Sequence, residues 1–118
     1  MPRILVVEDE DHIRLLVTSI LWQKGYDVVE AASGREALSL LREESNFDAI
    51  ITDLRMPKTD VLHYVDLLKR DFPYIPLIIM SAHITSSWAK SAVEQGAACM
   101  VKPFTRQQLL DCVGKVLI

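Results

Sequence analysis

Hydrophobic residues along the chain form two alternating patterns. Short runs rich in branched aliphatic residues, which are typical of buried strands, cover residues 3–7, 27–31, 48–52, 77–80 and 98–101. Each run is followed by apolar residues at helical spacing, at residues 13–21, 37–41, 61–68, 89–96 and 109–116. Such alternation predicts a parallel sheet with helices on both faces. Right-handed crossovers then give a doubly wound α/β fold, because five strands are too few for a closed eightfold barrel.

Several residues predict where individual helices begin and end. Ser33 and Glu36 have the spacing of a capping box in which Ser33 is the N-cap. Gly25 and Gly96 are expected to end the first and fourth predicted helices. Lys69 and Arg70 place cations at the C-terminus of the third predicted helix, where the helix dipole favours them.

Composition excludes several classes of protein. The chain has 118 residues, half of them hydrophobic, and a net charge of −3, which fits one folded domain over residues 1–118. The acidic balance argues against a nucleic-acid surface, and the aliphatic runs are far shorter than the about 20 residues of a bilayer span. Cys99 and Cys112 are too few for a disulfide framework and lack metal-site spacing. We expect a cytoplasmic protein that binds neither nucleic acid nor membrane.

Polar residues directly follow four of the five predicted strands. Glu8 and Asp9 follow the first, Asp53 the third, Ser81 the fourth and Lys102 the fifth. Sites in doubly wound sheets form at the carboxyl ends of the strands, so these side chains are expected to converge. Crowded carboxylates repel each other, and a divalent cation relieves that repulsion. Mg²⁺ suits a site that offers one or two carboxylates together with waters and a phosphate oxygen.

The same residues supply the groups that phosphoryl transfer requires. A carboxylate beside Mg²⁺ and a lysine would attack phosphorus and form an aspartyl phosphate. The cation and Lys102 would neutralise the phosphoryl oxygens, and Ser81 would hydrogen-bond to one of them. Each residue alone has an ordinary explanation: the acidic run 8–11 favours a helix N-terminus, and Asp53 suits a turn. Their joint placement at the strand ends favours a site.

Over essentially its whole length, the chain resembles the receiver domain of two-component response regulators, in its chemotaxis-regulator-like form. The motifs that carry the resemblance are ILVVEDE at 4–10, DLRMP at 53–57, Ser81-Ala82 and VKPF at 101–104. The resemblance implies a flavodoxin-like (βα)5 fold with strand order 2-1-3-4-5. It also implies a phosphorylation switch that catalyses only its own phosphorylation and dephosphorylation and is not otherwise an enzyme. The donor would be a phosphohistidine of a sensor histidine kinase or phosphotransfer protein, and the output an effector domain or target protein.

The resemblance assigns roles to individual residues. Asp53 would be the phosphoacceptor. Asp9 would bind Mg²⁺, or Mn²⁺ in its place, together with Asp53 and the backbone carbonyl of Arg55, and Glu8 would act through water. Lys102 would pair with the phosphoryl group.

Four further positions complete the set that the resemblance implies. Ser81 would be the switch hydroxyl, and the bond between residue 102 and Pro103 would be cis, an isomer that is accessible mainly before proline. Arg55 and His83 lie two residues after Asp53 and Ser81, where the family varies, and are expected to modulate the lifetime of the phosphate.

The sequence departs from the family pattern at three places. Cys99 replaces an aromatic residue that normally changes rotamer as the switch hydroxyl moves, which puts the output relay in doubt. Val61 follows Asp60 where glycine is common, so the loop entering the third helix is expected to differ. Ala97-Ala98 lacks an acidic residue that is common in receivers that dimerise through the fourth and fifth helices and the fifth strand, so a monomer or weak dimer is expected. Trp88 is either a half-buried packing residue or part of a partner surface.

Other readings stay open. A receiver-like interaction module that is never phosphorylated is compatible with the departures at Cys99 and Val61. A haloacid-dehalogenase-type phosphatase would use Asp9 as its nucleophile, but the chain is short for that fold and Asp53 would have no role. A flavodoxin-like cofactor binder is disfavoured because the acids at 8–11 would repel phosphate.

Overall fold

The structure is a computed structural model that describes residues 1–55, 61–82 and 96–117, with only the backbone of Val61 and Leu62. Its strands are β1 (Arg3–Val7), β2 (Asp27–Ala31), β3 (Ala49–Asp53), β4 (Leu77–Ser81) and β5 (Ala98–Val101). Its described helices are α1 (Asp11–Gln23), α2 (Gly34–Glu43), α3 (Val61–Asp71) and α4 (Arg106–Val116). The predicted strands are present, and β3 and β4 each extend to include the polar residue at their end. Residues 89–95 of the fourth predicted helix, and Trp88 before them, lie outside the described residues.

All five strands form one parallel sheet in the order β2-β1-β3-β4-β5, which confirms the predicted doubly wound fold. β2 lies on one side of β1 and β3 lies on the other. The order in which strands are added to the sheet therefore reverses direction between β1 and β3. The register places Val7 beside Thr52, and Asp53 beside Met80. The carboxyl ends of β1, β3 and β4 are therefore level, and the residues that follow them emerge at one edge.

The sheet is buried on both faces, which explains why its central strands are continuous aliphatic runs. Successive strand residues point to opposite faces, so each run contributes to two clusters. One cluster joins the sheet to α2 and α3 and includes Leu5, Val7, Leu41, Ile50, Leu68 and Ile79. The other joins it to α1 and α4 and includes Ile4, Val6, Val17, Leu21, Ile51, Ile78, Leu109 and Val113.

The helix α1 packs through a narrower stripe than its apolar spacing predicted. Val17, Ile20 and Leu21 are buried, whereas Leu16, which the spacing placed among them, is 55% exposed. The assignment of Leu16 to the buried face is wrong because only one flank of α1 contacts the sheet and α4. Among the described helices, none combines the length and apolarity that crossing a membrane would need.

Helix caps follow the predicted residues with one difference. The hydroxyl of Ser33 accepts a hydrogen bond from the amide of Glu36 at 3.1 Å, as a capping box requires. The carboxylate of Glu36, however, accepts from the amide of Ala32 at 3.2 Å, one residue before the N-cap. A complete capping box, which sequence analysis did not identify, begins α4 with Thr105 and Gln108.

The two glycines predicted as helix stops have left-handed backbone angles. Gly25 has φ +100° and follows α1 directly after its C-cap, with its amide donating to the carbonyl of Trp22 at 3.0 Å. Gly96 has φ +97° and precedes β5. Residues with a side chain rarely adopt this backbone conformation, which explains why glycine occupies both positions.

Candidate functional site

Three carboxylates meet at the carboxyl ends of β1 and β3, the two strands between which the order of strand addition reverses. Glu8, Asp9 and Asp53 each offer an oxygen, and these oxygens lie within 4.8 Å of one another. Glu8 is fully buried and Asp53 is 4% exposed, whereas Asp9 is half-buried and faces solvent in part. Negative charges that are this close together and shielded from water repel strongly unless a cation lies among them. An all-oxygen set with a partly open side fits Mg²⁺, which keeps several of its waters.

Lys102 supplies the described cation nearest to this cluster. Its Nζ lies 2.9 Å from Oε2 of Glu8 and 3.2 Å from Oδ2 of Asp53, and its side chain is only 18% exposed. The backbone amide of Lys102 donates to the carbonyl of Ser81 at 2.8 Å, which continues the pairing of β5 with β4. The Lys102–Pro103 bond is cis, as the resemblance implied. One ammonium against three carboxylates leaves the site negative, and that excess favours a divalent cation.

Burial controls the protonation of this pair. It raises the pKa of Glu8 to about 7; the hydrogen bond from Lys102 opposes this rise, and the charge of Asp53 adds to it. Burial alone would lower the pKa of Lys102, but its hydrogen bond to Glu8 and the charges of Asp53 and Glu8 outweigh that effect and raise it. Lys102 therefore stays charged at neutral pH, while a proton competes with any cation for Glu8.

Both oxygens of Asp53 have a partner. Oδ2 faces Lys102, and Oδ1 accepts a hydrogen bond of 3.1 Å from the backbone amide of Arg55. The carboxylate is therefore held in one orientation. The side chain of Arg55 is exposed. The use of its carbonyl as a metal ligand stays a prediction.

The structure describes some of the remaining predicted residues. Ser81 is fully buried at the end of β4. Cys99 is half-buried on β5, paired with Ile79, and packs against the cluster shared with α2 and α3; burial raises the pKa of its thiol. His83 and the loop at 56–60 before Val61 lie outside the described residues.

Arg14 is a contact of the site that sequence analysis missed. Its Nη1 donates to the backbone carbonyl of Glu8 at 2.8 Å. Its Nη2 lies 2.6 Å from Oδ1 of Asp11, and its Nε lies 3.4 Å from Oε1 of Glu30. The spacing of Asp11 and Arg14, three residues apart on a helix, was the available signal.

A buried hydroxyl pair lies beneath the predicted phosphoacceptor. Oγ1 of Thr52 donates to the carbonyl of Asp53 at 2.9 Å and lies 2.9 Å from Oη of Tyr64. A hydroxyl has a single hydrogen, so Tyr64 is the donor in the second bond. Burial raises the pKa of Tyr64 far above its usual range, which keeps that proton in place. The signal in the sequence was Thr52 itself, because a hydroxyl in an aliphatic strand needs a partner.

Known proteins are similar to this chain in sequence and in structure. The model of the response regulator receiver domain family matches residues 4–114. Response regulator protein FleR of Pseudomonas aeruginosa is 33% identical over 114 residues, which are 96% of this chain and 24% of FleR. Chemotaxis protein CheY4 of Vibrio cholerae has a structure that superposes with a TM-score of 0.88 at 33% identity, covering 99% of both chains.

A further structure is similar and contains a metal. Response regulator protein TrrA of Thermotoga maritima, in complex with Mg(2+)-BeF, superposes with a TM-score of 0.87 at 31% identity, covering 99% of this chain and 100% of TrrA. The chain belongs to the response regulator receiver domain family of two-component systems, as its motifs implied. It spans about a quarter of the length of FleR.

Proposed function

We propose that this chain is the phosphoacceptor of a two-component relay, with Asp53 as the residue that is phosphorylated. The observation that carries the proposal is the position of Asp53. Its carboxylate lies 3.2 Å from the ammonium of Lys102, which also contacts Glu8, and within 4.8 Å of carboxylate oxygens of Glu8 and Asp9. An aspartate so placed has a cation for the incoming phosphoryl oxygens and carboxylates for a metal ion.

The donor in this proposal is a phosphohistidine of a sensor histidine kinase or a phosphotransfer protein. An oxygen of Asp53 forms a bond to phosphorus, the bond from phosphorus to the imidazole nitrogen breaks, and the electron pair stays on the imidazole. Asp9 and Asp53, with Glu8 acting through water, would hold Mg²⁺, which when bound would neutralise charge on the phosphoryl oxygens. Lys102 pairs with another of these oxygens, and Ser81 donates a hydrogen bond to it. TrrA, solved in complex with Mg(2+)-BeF, supports the choice of metal.

The exposed side of α1 supports the proposed partner. Leu15, Leu16 and Trp22 are 63%, 55% and 72% exposed on a helix that begins two residues after Asp9. Large apolar side chains this exposed favour a protein interface. We assign this side of α1 to contact with the phosphodonor, and we expect a cytoplasmic protein, monomeric or weakly dimeric, whose output passes to an effector domain or target protein without direct nucleic-acid binding.

The proposal is tested by mass. The chain is incubated with MgCl₂ and acetyl phosphate, and its intact mass is measured. We expect a single labile phosphoryl adduct that requires Mg²⁺ and is absent in Asp53→Asn. Asp66→Asn, the same substitution at an exposed position of α3, is the matched control and should keep the adduct.

Absence of an adduct from the wild type, with acetyl phosphate and with a phosphorylated phosphotransfer protein, contradicts the proposal. The chain would then be a receiver-like interaction module. An adduct that persists in Asp53→Asn would move the phosphoacceptor to another residue.

A further inference from the structure

The loop between β1 and α1 is held by contacts to both backbone polar groups of Glu8, its amide and its carbonyl. The amide of Glu8 donates to the carbonyl of Ala31, at the end of β2, at 3.1 Å. The carbonyl of Glu8 accepts from Nη1 of Arg14 at 2.8 Å. Because the peptide unit is planar, fixing this carbonyl also fixes the amide and Cα of Asp9. The direction of the Asp9 side chain therefore depends on the position of the Arg14 guanidinium.

The guanidinium of Arg14 is itself fixed. Each of its three nitrogens has an oxygen partner: the Glu8 carbonyl, Asp11 on the same helix and Glu30 on β2. Its side chain is only 17% exposed, although Asp11 and Glu30 are exposed. A planar fork with three partners has little freedom to rotate, and a lysine would not reproduce it.

We propose that Arg14 is a positioning residue for the metal site: by holding the Glu8 carbonyl it directs Asp9 toward the cation. The inference rests on the proposed function, since it assumes that Asp9 binds Mg²⁺. The contact that Arg14 makes with the site is to the backbone carbonyl of Glu8, so it would act through the backbone rather than as a metal ligand. Partners that orient metal ligands are typically worth about 10- to 100-fold in metal affinity.

Electrostatics alone predicts the opposite sign. Arg14→Ala removes a positive charge close to three carboxylates and leaves Asp11 and Glu30 unpaired. If the guanidinium served only as a charge, its loss would strengthen Mg²⁺ binding. If it served only to stabilise the fold, the unfolding midpoint would fall while the Mg²⁺ affinity stayed the same. Weaker Mg²⁺ binding in a folded variant is expected only from positioning.

The test is a titration of the full chain with MgCl₂, followed by ¹H–¹⁵N NMR, with circular dichroism to confirm that each variant is folded. We expect Arg14→Ala to weaken Mg²⁺ binding about tenfold or more, and Arg14→Lys to recover part of this loss because it keeps one donor. In the wild type, the amides of residues 8–10 should shift on binding. Arg35→Ala changes the net charge equally at an exposed position of α2 and should bind Mg²⁺ as the wild type does.

An Arg14→Ala protein that binds Mg²⁺ as tightly as the wild type, or more tightly, overturns the inference. If Arg14→Ala does not fold, Arg14→Lys replaces it, because it keeps the positive charge but not the three-partner geometry. It should weaken binding several-fold, and unchanged affinity is equally decisive against the inference. A wild type that does not bind Mg²⁺ at all would instead contradict the proposed function, so the two failures are distinguishable.

Discussion

The hydroxyl pair formed by Thr52 and Tyr64 gives a test of how α3 is attached to the strand that carries Asp53. Both residues are buried, with 0% and 3% exposure. Tyr64→Phe removes the donor to Oγ1 of Thr52 but keeps the ring, so no cavity forms. Thr52 keeps its bond to the carbonyl of Asp53 and loses only the bond that it accepts. We expect a loss of about 1 kcal/mol in the free energy of unfolding.

The reverse change is expected to cost more. Thr52→Val leaves the hydroxyl of Tyr64 buried without an acceptor and removes the bond to the Asp53 carbonyl. An unsatisfied buried donor costs about 1–3 kcal/mol, so we expect about 2 kcal/mol. In the double variant both polar groups are absent and neither is left unpaired. Its loss should therefore be smaller than the sum of the two single losses, by about 1 kcal/mol.

Urea unfolding followed by circular dichroism measures these differences. With a slope of about 1–3 kcal/mol per molar urea, Tyr64→Phe should lower the midpoint by about 0.5 M. Tyr74→Phe, the same change at a tyrosine that is 64% exposed, is the matched control and should leave it almost unchanged. Strictly additive losses in the double variant would refute the reasoning, because they would mean that the two hydroxyls do not interact.

Four further predictions concern the site. Because the pKa of Glu8 is raised to about 7 and Mg²⁺ needs ionised ligands, calorimetric Mg²⁺ affinity should fall between pH 8 and pH 6, and Glu8→Gln should flatten this dependence. The same shift means that the folded metal-free protein binds more protons than the unfolded chain, so its urea midpoint should fall as pH rises from 4.5 to about 7; a rising midpoint would contradict it. Lys102→Ala should slow phosphorylation by acetyl phosphate about 10²-fold, because the cation that pairs with the phosphoryl oxygens is lost. Mg²⁺ binding should not weaken, because the lost charge is positive; loss of both phosphorylation and Mg²⁺ binding would show that the site has collapsed. Arg55→Ala should change the rate at which phosphate is lost from Asp53, since the exposed Arg55 side chain lies two residues after Asp53; an unchanged rate, measured by mass over time, refutes this role.

The fold could be predicted because its signals are local. A branched aliphatic run such as residues 3–7 is buried on both faces wherever it lies in a parallel sheet. That such a run forms a strand does not depend on distant residues. The predicted site residues could be named for a related reason, since a polar residue directly after such a strand must emerge at the carboxyl edge of the sheet. Leu16 shows the limit of prediction from local sequence. Helical spacing identifies the apolar residues of α1, but it does not reveal how many of them the neighbouring elements bury.

The residues that orient the site could not be predicted in the same way. Arg14 on α1 contacts Glu30 on β2, and Tyr64 on α3 contacts Thr52 on β3. Each contact therefore depends on how two elements finally pack together. The sequence contains both partners of each pair, but no spacing rule connects them. Reactive groups are fixed by the ends of strands, whereas their orientation is fixed by side chains whose partners are known only once the helices are in place.

Cys99 limits the ways in which phosphorylation of this chain would produce an output. Turning an aromatic side chain from a solvent-exposed to a buried position moves about 150–250 Å² of surface, which at about 25 cal/mol per Å² is several kcal/mol. A half-buried cysteine is much smaller and already packs against the cluster shared with α2 and α3, so its rotation would change little area. A switch in this chain would therefore draw little of its free energy from a side-chain rotation at residue 99.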